Sequence, residues 1–515
     1  MAIYVDRTAS VKTIIDRMLW LIDRGYNLDN TKNSCDKDES SSISKLIADY
    51  YGESHSFTKG AKAGVFPHYA DLPNGIKIAV EYAIRNNKLN FIVCTTTLAQ
   101  GVNIPIRYLF MTSIMTSRNK MQIRNFQNLI GRTARSGMYT EGSIIITNTK
   151  LYDERNKYKG GGKYRWDECI DMFNPTNNEP CGSSILALTK GIVADYETSA
   201  SGMKIAQYII EHFFQEHCFE NLTEELTNWY EQRHPDRKSD SIFIEIKFRE
   251  KITEAIENHL CYIFANNLSD DYYVQANAAC KQTLAYALAN DEEKELLINI
   301  FKVITDKIIS IATKEQIANY SRTVIGIDLS QKISEWLTEK EICMIFYSET
   351  QLLDMILDFF YSTHDGFKKI SKDQFKEICS YWIDGFMYCD IVRKLGIKNI
   401  KDVEYLCGKK ISFELSFFIG NIIDMFVSSD DDVNPYFMLT SLQKKVKYGV
   451  NSNTAISICE AIFNDRRISN LIADYLNNTD IKPDEIIEVV KNSRVKIENL
   501  IDLYPSFYKE RIALL

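Results

Sequence analysis

Residues 91–105 read Phe-Ile-Val-Cys-Thr-Thr-Thr-Leu-Ala-Gln-Gly-Val-Asn-Ile-Pro. The apolar run Phe91–Cys94 has the length of a strand and no polar alternation, which predicts a strand buried on both faces, as in a parallel sheet. Three hydroxyls follow at once, Thr95, Thr96 and Thr97, and then the Gln100-Gly101 turn. The carboxyl ends of strands in an open α/β sheet face the ligand crevice, so such a strand end presents hydroxyls and backbone N–H groups to phosphates. A Thr-rich turn that merely caps a helix is an equal reading on physics alone.

The flanking sequence fits the same architecture. Ala2-Ile3-Tyr4-Val5 predicts a short strand, followed by a helix over 11–22 with Ile14, Ile15, Met18, Leu19 and Ile22 on one face. Residues 29–42 read as a polar loop and Lys45–Tyr51 as a helix start. Gly64-Val65-Phe66, Tyr108–Met111 and Ser143–Thr147 read as strands, and Asn74–Arg85 and Met121–Ile130 as helices. This alternation predicts an α/β domain with a parallel sheet over residues 1–150. Residues 151–184, with Gly160-Gly161-Gly162 and two prolines, read as an irregular excursion. From Ser184 the pattern is helical, and a joint near 365–373 divides it into helical domains over 185–365 and 366–515.

A chain of 515 residues has length for about three folding units. Only 9 Pro and 22 Gly favour long regular elements over a loop-rich β architecture. No apolar run reaches the roughly 18 residues that span a bilayer, so no membrane partner is expected. The first residues carry no secretory pattern, and the 12 Cys form no CxxC pair. Together these imply free thiols in a reducing cytoplasm, without a disulfide frame or zinc site. His212 and His217 are five apart with no third ligand near, so no metal site is expected.

The formal net charge of -8 alone argues against a polyanionic partner. Its distribution argues otherwise. Residues 1–150 hold 19 Lys+Arg against 12 Asp+Glu, which leaves 42 against 57 for the remainder. No Asp or Glu occurs between Glu81 and Glu141, a stretch that carries Arg107, Arg118, Arg124, Arg132 and Arg135 among its cations. An acid-free basic segment suits a nucleotide or a nucleic-acid backbone, and a solvated face is the equal alternative.

Residues 128–137 read Asn-Leu-Ile-Gly-Arg-Thr-Ala-Arg-Ser-Gly. Arg132 and Arg135 share a face if the helix continues, and Gly131 permits close approach. Two permanently charged planar groups there suit charge developing on a transferred phosphoryl group, although an isolated R-x-x-R is by default a surface pair.

Taken together, these stretches resemble the second RecA-like domain of superfamily 2 helicases, nearest the Ski-like DExH-box branch. Thr95–Pro105 resembles motif V, Gly131–Gly137 resembles motif VI, and Val65–Pro73 resembles the H-H-x-x-L-P element with Tyr69 in place of the second His. The resemblance covers residues 1 to about 150. It implies that Arg132 and Arg135 reach the γ-phosphate of ATP, and that Gln100, Gly101, Asn103 and Gly131 belong to the nucleotide-coupled segments. It further implies that Thr95, Thr97 and His68 touch a nucleic-acid strand. One departure stands in motif VI, where the family's Gln is Asn128.

A Walker A loop and a DExH box are missing from the sequence. Gly160–Lys163 lacks the earlier Gly and the following Ser/Thr, and Asp167-Glu168-Cys169-Ile170 follows motif VI instead of preceding it. The resemblance therefore implies a C-terminal helicase portion, as a fragment, a split gene or a remnant. ATP and Mg²⁺ would be held mainly by a first RecA-like domain in cis or trans, with single-stranded DNA or RNA and an effector protein as further partners. The alternative is a non-catalytic nucleic-acid or protein-interaction subunit derived from a helicase. The excursion 152–166 interleaves aromatics with cations and suits a single strand, or else packs as a hairpin. Trp382–Gly396 resembles a helix-turn-helix of accessory helicase domains, and Lys444, Lys445, Lys447, Arg466 and Arg467 suggest a backbone-tracking surface or a solvated face. Helical tails of this kind resemble those of bacterial defence helicases, Hachiman among them.

Overall fold

The computed structural model describes residues 1–26, 29–96, 106–116, 119–133, 141–156, 162–194, 197–200, 202–215, 217–235, 240–267, 271–344, 347–364, 366–367, 370–426, 434–477 and 480–515. The chain forms two compact units. One comprises Met1–Glu179, Gly366–Ser416 and Ser441–Leu515, and the other Pro180–Asp365 and Phe417–Thr440.

The first unit is built on a five-stranded parallel sheet. Its strands are β1 (Ala2–Tyr4), β2 (Phe66–His68), β3 (Ile92–Cys94), β4 (Tyr108–Met111) and β7 (Ser143–Ile146), in the order β2-β3-β1-β4-β7. Between β4 and β7 lies a small antiparallel hairpin, β5 (Met115–Thr116) and β6 (Asn119–Lys120). In the central register Ile3 pairs with both Val93 and Phe110. The sheet interior is apolar, with Ala2, Tyr4, Ile92, Val93, Cys94, Leu109 and Met111 all buried, as parallel strands covered on both faces require.

The helices of this unit are α1 (Thr8–Asp23), α2 (Asp29–Asn33), α3 (Lys37–Tyr51), α4 (Ser56–Lys62), α5 (Asn74–Arg85), α6 (Ile123–Ile130), α7 (Thr149–Asp153) and α8 (Gly162–Asp171). Three sequence expectations are corrected here. The polar stretch 29–42 is largely helical, because Asp36 caps α3 by accepting from the Glu39 N–H at 2.8 Å, and because Ser40 is turned into the core. The Ser40 and Ser44 hydroxyls donate to the Ala61 and Thr58 carbonyls, which satisfies them inside the core. The strand expected at 64–66 begins two residues later. Gly64 turns the chain at φ +80°, with the Thr31 carbonyl 2.3 Å from where a Cβ would stand. The excursion forms helices, not a hairpin, and the Tyr152 and Trp166 rings meet edge to face at 5.7 Å.

Segments from the far end of the chain complete this unit. Asp49 of α3 accepts from Lys45, from Arg467 Nε at 2.8 Å and from the Tyr504 hydroxyl at 2.6 Å. Burial alone would raise the Asp49 pKa, but those three hydrogen bonds and the Arg467 charge hold it below its ordinary value. Asp465 accepts from the Tyr50 hydroxyl at 2.8 Å and lies so close to Gly75 that an added Cβ would fall 1.9 Å from its Oδ2. Arg466, also buried, stacks 3.6 Å from the Trp382 ring centre and donates to the carbonyls of Gly449, Phe386 and Trp382 at 2.7–3.0 Å.

Among the described residues the second unit is helical apart from the hairpin β8 (Ile192–Ala194) and β9 (Glu197–Ala200). Its longest helix, Asp240–Asn266, carries Glu257, which pairs with Lys307 at 3.0 Å. Lys307 also reaches Asp328 at 2.7 Å, tying three helices together.

Replacing Arg466 by Leu keeps the bulk but leaves three carbonyls without their donor. The urea midpoint of the first unit is expected to fall by the equivalent of about 3–5 kcal/mol, the cost typical of breaking a buried charged network. An unchanged midpoint would show that the guanidinium holds nothing together.

Candidate nucleotide and nucleic-acid site

Two adjacent parallel strands, β2 and β3, end side by side, and the Thr95 N–H donates to the His68 carbonyl at 3.3 Å. Thr95 thus stands at the carboxyl edge of the sheet, 8% exposed, where α/β folds bind ligands. His68 is turned inward, 2% exposed, with Nε2 2.9 Å from Glu81 Oε1. Thr97, Gln100, Gly101 and Asn103 lie outside the described residues.

The α6 helix leads into the motif VI stretch. Ile123, Phe126 and Leu129 form its buried face, and Phe126 meets Phe173 edge to face at 4.9 Å. Its own N-cap position, Gln122, makes no capping bond. The Glu179 carboxylate takes that place. Ile123 N–H donates to Oε1 at 2.5 Å and Arg124 N–H to Oε2 at 3.2 Å. Partial burial alone would raise the Glu179 pKa, but backbone hydrogen bonds, led by that from Ile123, together with the Arg124 charge hold it below its ordinary value.

Arg132 follows immediately after Gly131, which ends α6. The Arg132 carbonyl accepts from the Ile106 N–H at 3.2 Å, and Ile106 forms a parallel bridge with Thr133. The backbone thereby joins the residue after motif V to the first motif VI arginine. Arg135 lies outside the described residues. Asn128 sits on the exposed side of α6, and the half-buried Gln127 beside it has no hydrogen-bond partner for its Nε2.

Tyr69, in the position where the family has a second His, is buried. Its hydroxyl donates to Glu404 Oε1 at 2.7 Å, and the Tyr51 hydroxyl donates to the same oxygen at 2.6 Å. Burial pushes the Glu404 carboxyl above its ordinary value despite those two donors. The next residue, Tyr405, opens a surface that sequence reasoning missed. Tyr405 is 53% exposed, Phe413 is 58% exposed, and Lys409 between them holds its ammonium 4.3 Å from the Phe413 ring centre. Residues Leu406–Leu415 are π-helical, a rare widened turn often found at functional sites, and it keeps residues four apart nearly in line. Ser412 donates to the Lys447 carbonyl, which sets exposed Lys447 beside the row. The four-residue spacing is visible in the sequence only once the segment is known to be helical.

The other candidates resolve differently. Of the five cations suggested at 444–467, Arg466 is buried, Arg467 pairs with Asp49 and Lys444 with Glu460. The Trp382–Gly396 helix-turn-helix is present, over Lys372–Ile383 and Tyr388–Leu395, with Trp382 buried against Arg466. Asp167-Glu168 lies within helix α8 and does not follow a strand. Among the described residues no three His, Cys, Asp or Glu side chains cluster as a metal site, and no helix is long and apolar enough to cross a membrane.

A parallel sheet with Thr95 at its carboxyl edge has the form of an α/β fold that binds ligands there. Residues 34–137 match the helicase conserved C-terminal domain, so this part of the chain is similar to the second RecA-like domain of superfamily 2 helicases. The Hachiman protein HamB of Bacillus cereus is 31% identical over 96 residues, which is 18% of this chain and 9% of that protein. The human helicase POLQ-like protein is 32% identical over 152 residues, 29% of this chain and 12% of that protein. The ATP-dependent DNA helicase Hel308 of Aeropyrum pernix is 31% identical over 93 residues, 17% and 13% respectively. The chain thus spans a small fraction of the length of each relative.

Folding raises the affinity of Glu404 for its proton, so the ionised form costs stability as pH climbs through the raised folded value. Below the ordinary value of 4.5 that cost is absent. Glu404→Gln keeps the acceptor oxygen and is expected to raise the melting temperature at pH 7, by the equivalent of on the order of 1 kcal/mol. The two proteins should converge on acidification. A melting difference independent of pH would contradict this account.

Proposed function

We propose that this chain is the C-terminal portion of an ATP-dependent DNA or RNA helicase, completed by a first RecA-like domain in cis or trans. The observation that carries this reading is the backbone junction of Ile106 with Arg132 inside the segment that matches the helicase C-terminal domain, which ties the residue after the motif V stretch to Arg132. Arg132 and Arg135 present guanidinium groups toward the γ-phosphate, where planar always-charged donors stabilise developing charge. ATP supplies the phosphoryl group, and the Walker A and DExH half holds it with Mg²⁺. Gln100, Gly101 and Asn103 connect nucleotide state to the nucleic-acid strand, and Thr97 together with Thr95, which stands at the sheet edge, meets the strand backbone.

The Tyr405–Lys409–Phe413 row extends this path in our reading, because exposed aromatics stack bases and the interleaved ammonium follows phosphates. The likeness to the Hachiman protein HamB supports the reading of this chain as part of a bacterial defence helicase. A second reading, a non-catalytic interaction subunit, is favoured by exposed Phe243, Ile244 and Phe248 on the Asp240–Asn266 helix, a face suited to another protein.

Two measurements test the motor reading. ATP hydrolysis by the chain joined to its first RecA-like domain should require single-stranded nucleic acid and vanish in Arg132→Ala/Arg135→Ala with the circular dichroism spectrum retained. Turnover that survives both changes would refute the arginine assignment. Separately, Tyr405→Ala/Phe413→Ala should weaken binding of a fluorescent single-stranded oligonucleotide by roughly tenfold or more at fixed salt, from about 1–3 kcal/mol per stacked base. Equal affinity would remove this row from the path.

A further inference from the structure

We infer that Glu179 is the positioning residue of the motif VI helix: a cap imported from 56 residues downstream that sets where Arg132 is delivered. The inference rests on the motor reading for its consequence in turnover, but its geometry stands independently.

An eight-residue helix has little hold on its own direction. Its first four N–H groups need acceptors, and a side chain at the N-cap normally supplies one. Gln122 does not. Instead both carboxylate oxygens of Glu179 are used, one for Ile123 N–H and one for Arg124 N–H, while the Arg124 guanidinium reaches back to the Glu179 carbonyl at 3.4 Å. The same segment grips the helix a second time through the contact of Phe173 with Phe126. Two grips, one on the axis end and one on the buried face, fix both the translation and the rotation of α6. Arg132 emerges one residue beyond its last turn, so a small tilt at Ile123 is carried directly to the guanidinium. Misplacement on the order of 1 Å is enough to cost a large factor in rate.

Glu179 also ends the first segment of the first unit, and Pro180 begins the second unit. A residue before proline is confined to extended backbone, so Pro180 narrows the conformations from which the carboxylate could leave the helix end. The connector between units and the cap of the arginine-bearing helix are therefore one segment.

The test uses Glu179→Ala, which removes the acceptor, and Glu179→Gln, which keeps one neutral acceptor. In the complete motor, Glu179→Ala is expected to lower kcat about tenfold while KM for ATP and oligonucleotide affinity stay within twofold, and Glu179→Gln to recover much of the loss. In the 515-residue chain alone, hydrogen exchange of peptides covering 121–133 should quicken in Glu179→Ala, with the remainder of the sheet unchanged. Unchanged exchange at 121–133, or unchanged kcat, overturns the inference. So does a loss spread over kcat, affinity and melting temperature alike, because that marks a merely structural residue. Should the Arg132→Ala/Arg135→Ala control stay active, the motor reading fails, and the exchange measurement still decides whether Glu179 holds the helix.

Discussion

Two consecutive residues of opposite charge, Asp465 and Arg466, are both buried in the first unit and face different partners. The carboxylate meets Tyr50 and the start of α5, and the guanidinium meets Trp382 and three carbonyls from separate segments. Charges taken out of water are costly unless their hydrogen bonds are met, so neither residue tolerates an altered arrangement of the chain around it. A single peptide bond thus constrains segments near residues 50, 75, 385, 449 and 466 at once. The helices that close the sequence are consequently part of the same body as the nucleotide-type sheet, not an appendage to it.

That constraint gives the site its geometry. Tyr51 and Tyr69, on either side of β2, grip Glu404, and Glu404 precedes the exposed row beginning at Tyr405. The sheet edge with Thr95, the backbone junction at Arg132 and the aromatic row therefore belong to one compact unit. The Tyr in place of the family's second His is explained locally. A phenol reaches the buried carboxylate and shares it with a second phenol, an arrangement that requires Glu404 on the opposing helix.

Much of this was legible in the sequence where the pattern is local. The α5 helix and the β4 strand occupy the residues their periodicity predicts, because apolar spacing and flanking turns decide them within a dozen residues. The stretch 29–42 misleads because serine is read as loop when its hydroxyl faces solvent, whereas Ser40 and Ser44 spend theirs on α4 carbonyls. Glu179 and Glu404 were invisible for a different reason. Each acts on residues more than fifty positions away, and nothing in a carboxylate's neighbours names a distant N–H or phenol. Arg132 was singled out by type and spacing, but its backbone tie to Ile106 could come only from the fold.

The thiols of this chain are unevenly placed. Ten of the described cysteines are buried or half-buried, and burial pushes the thiols of Cys94, Cys261, Cys407 and Cys459 up to about 12. Cys181 alone among the described cysteines is exposed, two residues past Glu179. Among the described cysteines a maleimide dye offered under mild conditions will therefore react first at Cys181, without any engineered attachment point. Its fluorescence there gives an optical report on the segment that holds the arginine-bearing helix, and of the described sulfurs an oxidant would find the same one first.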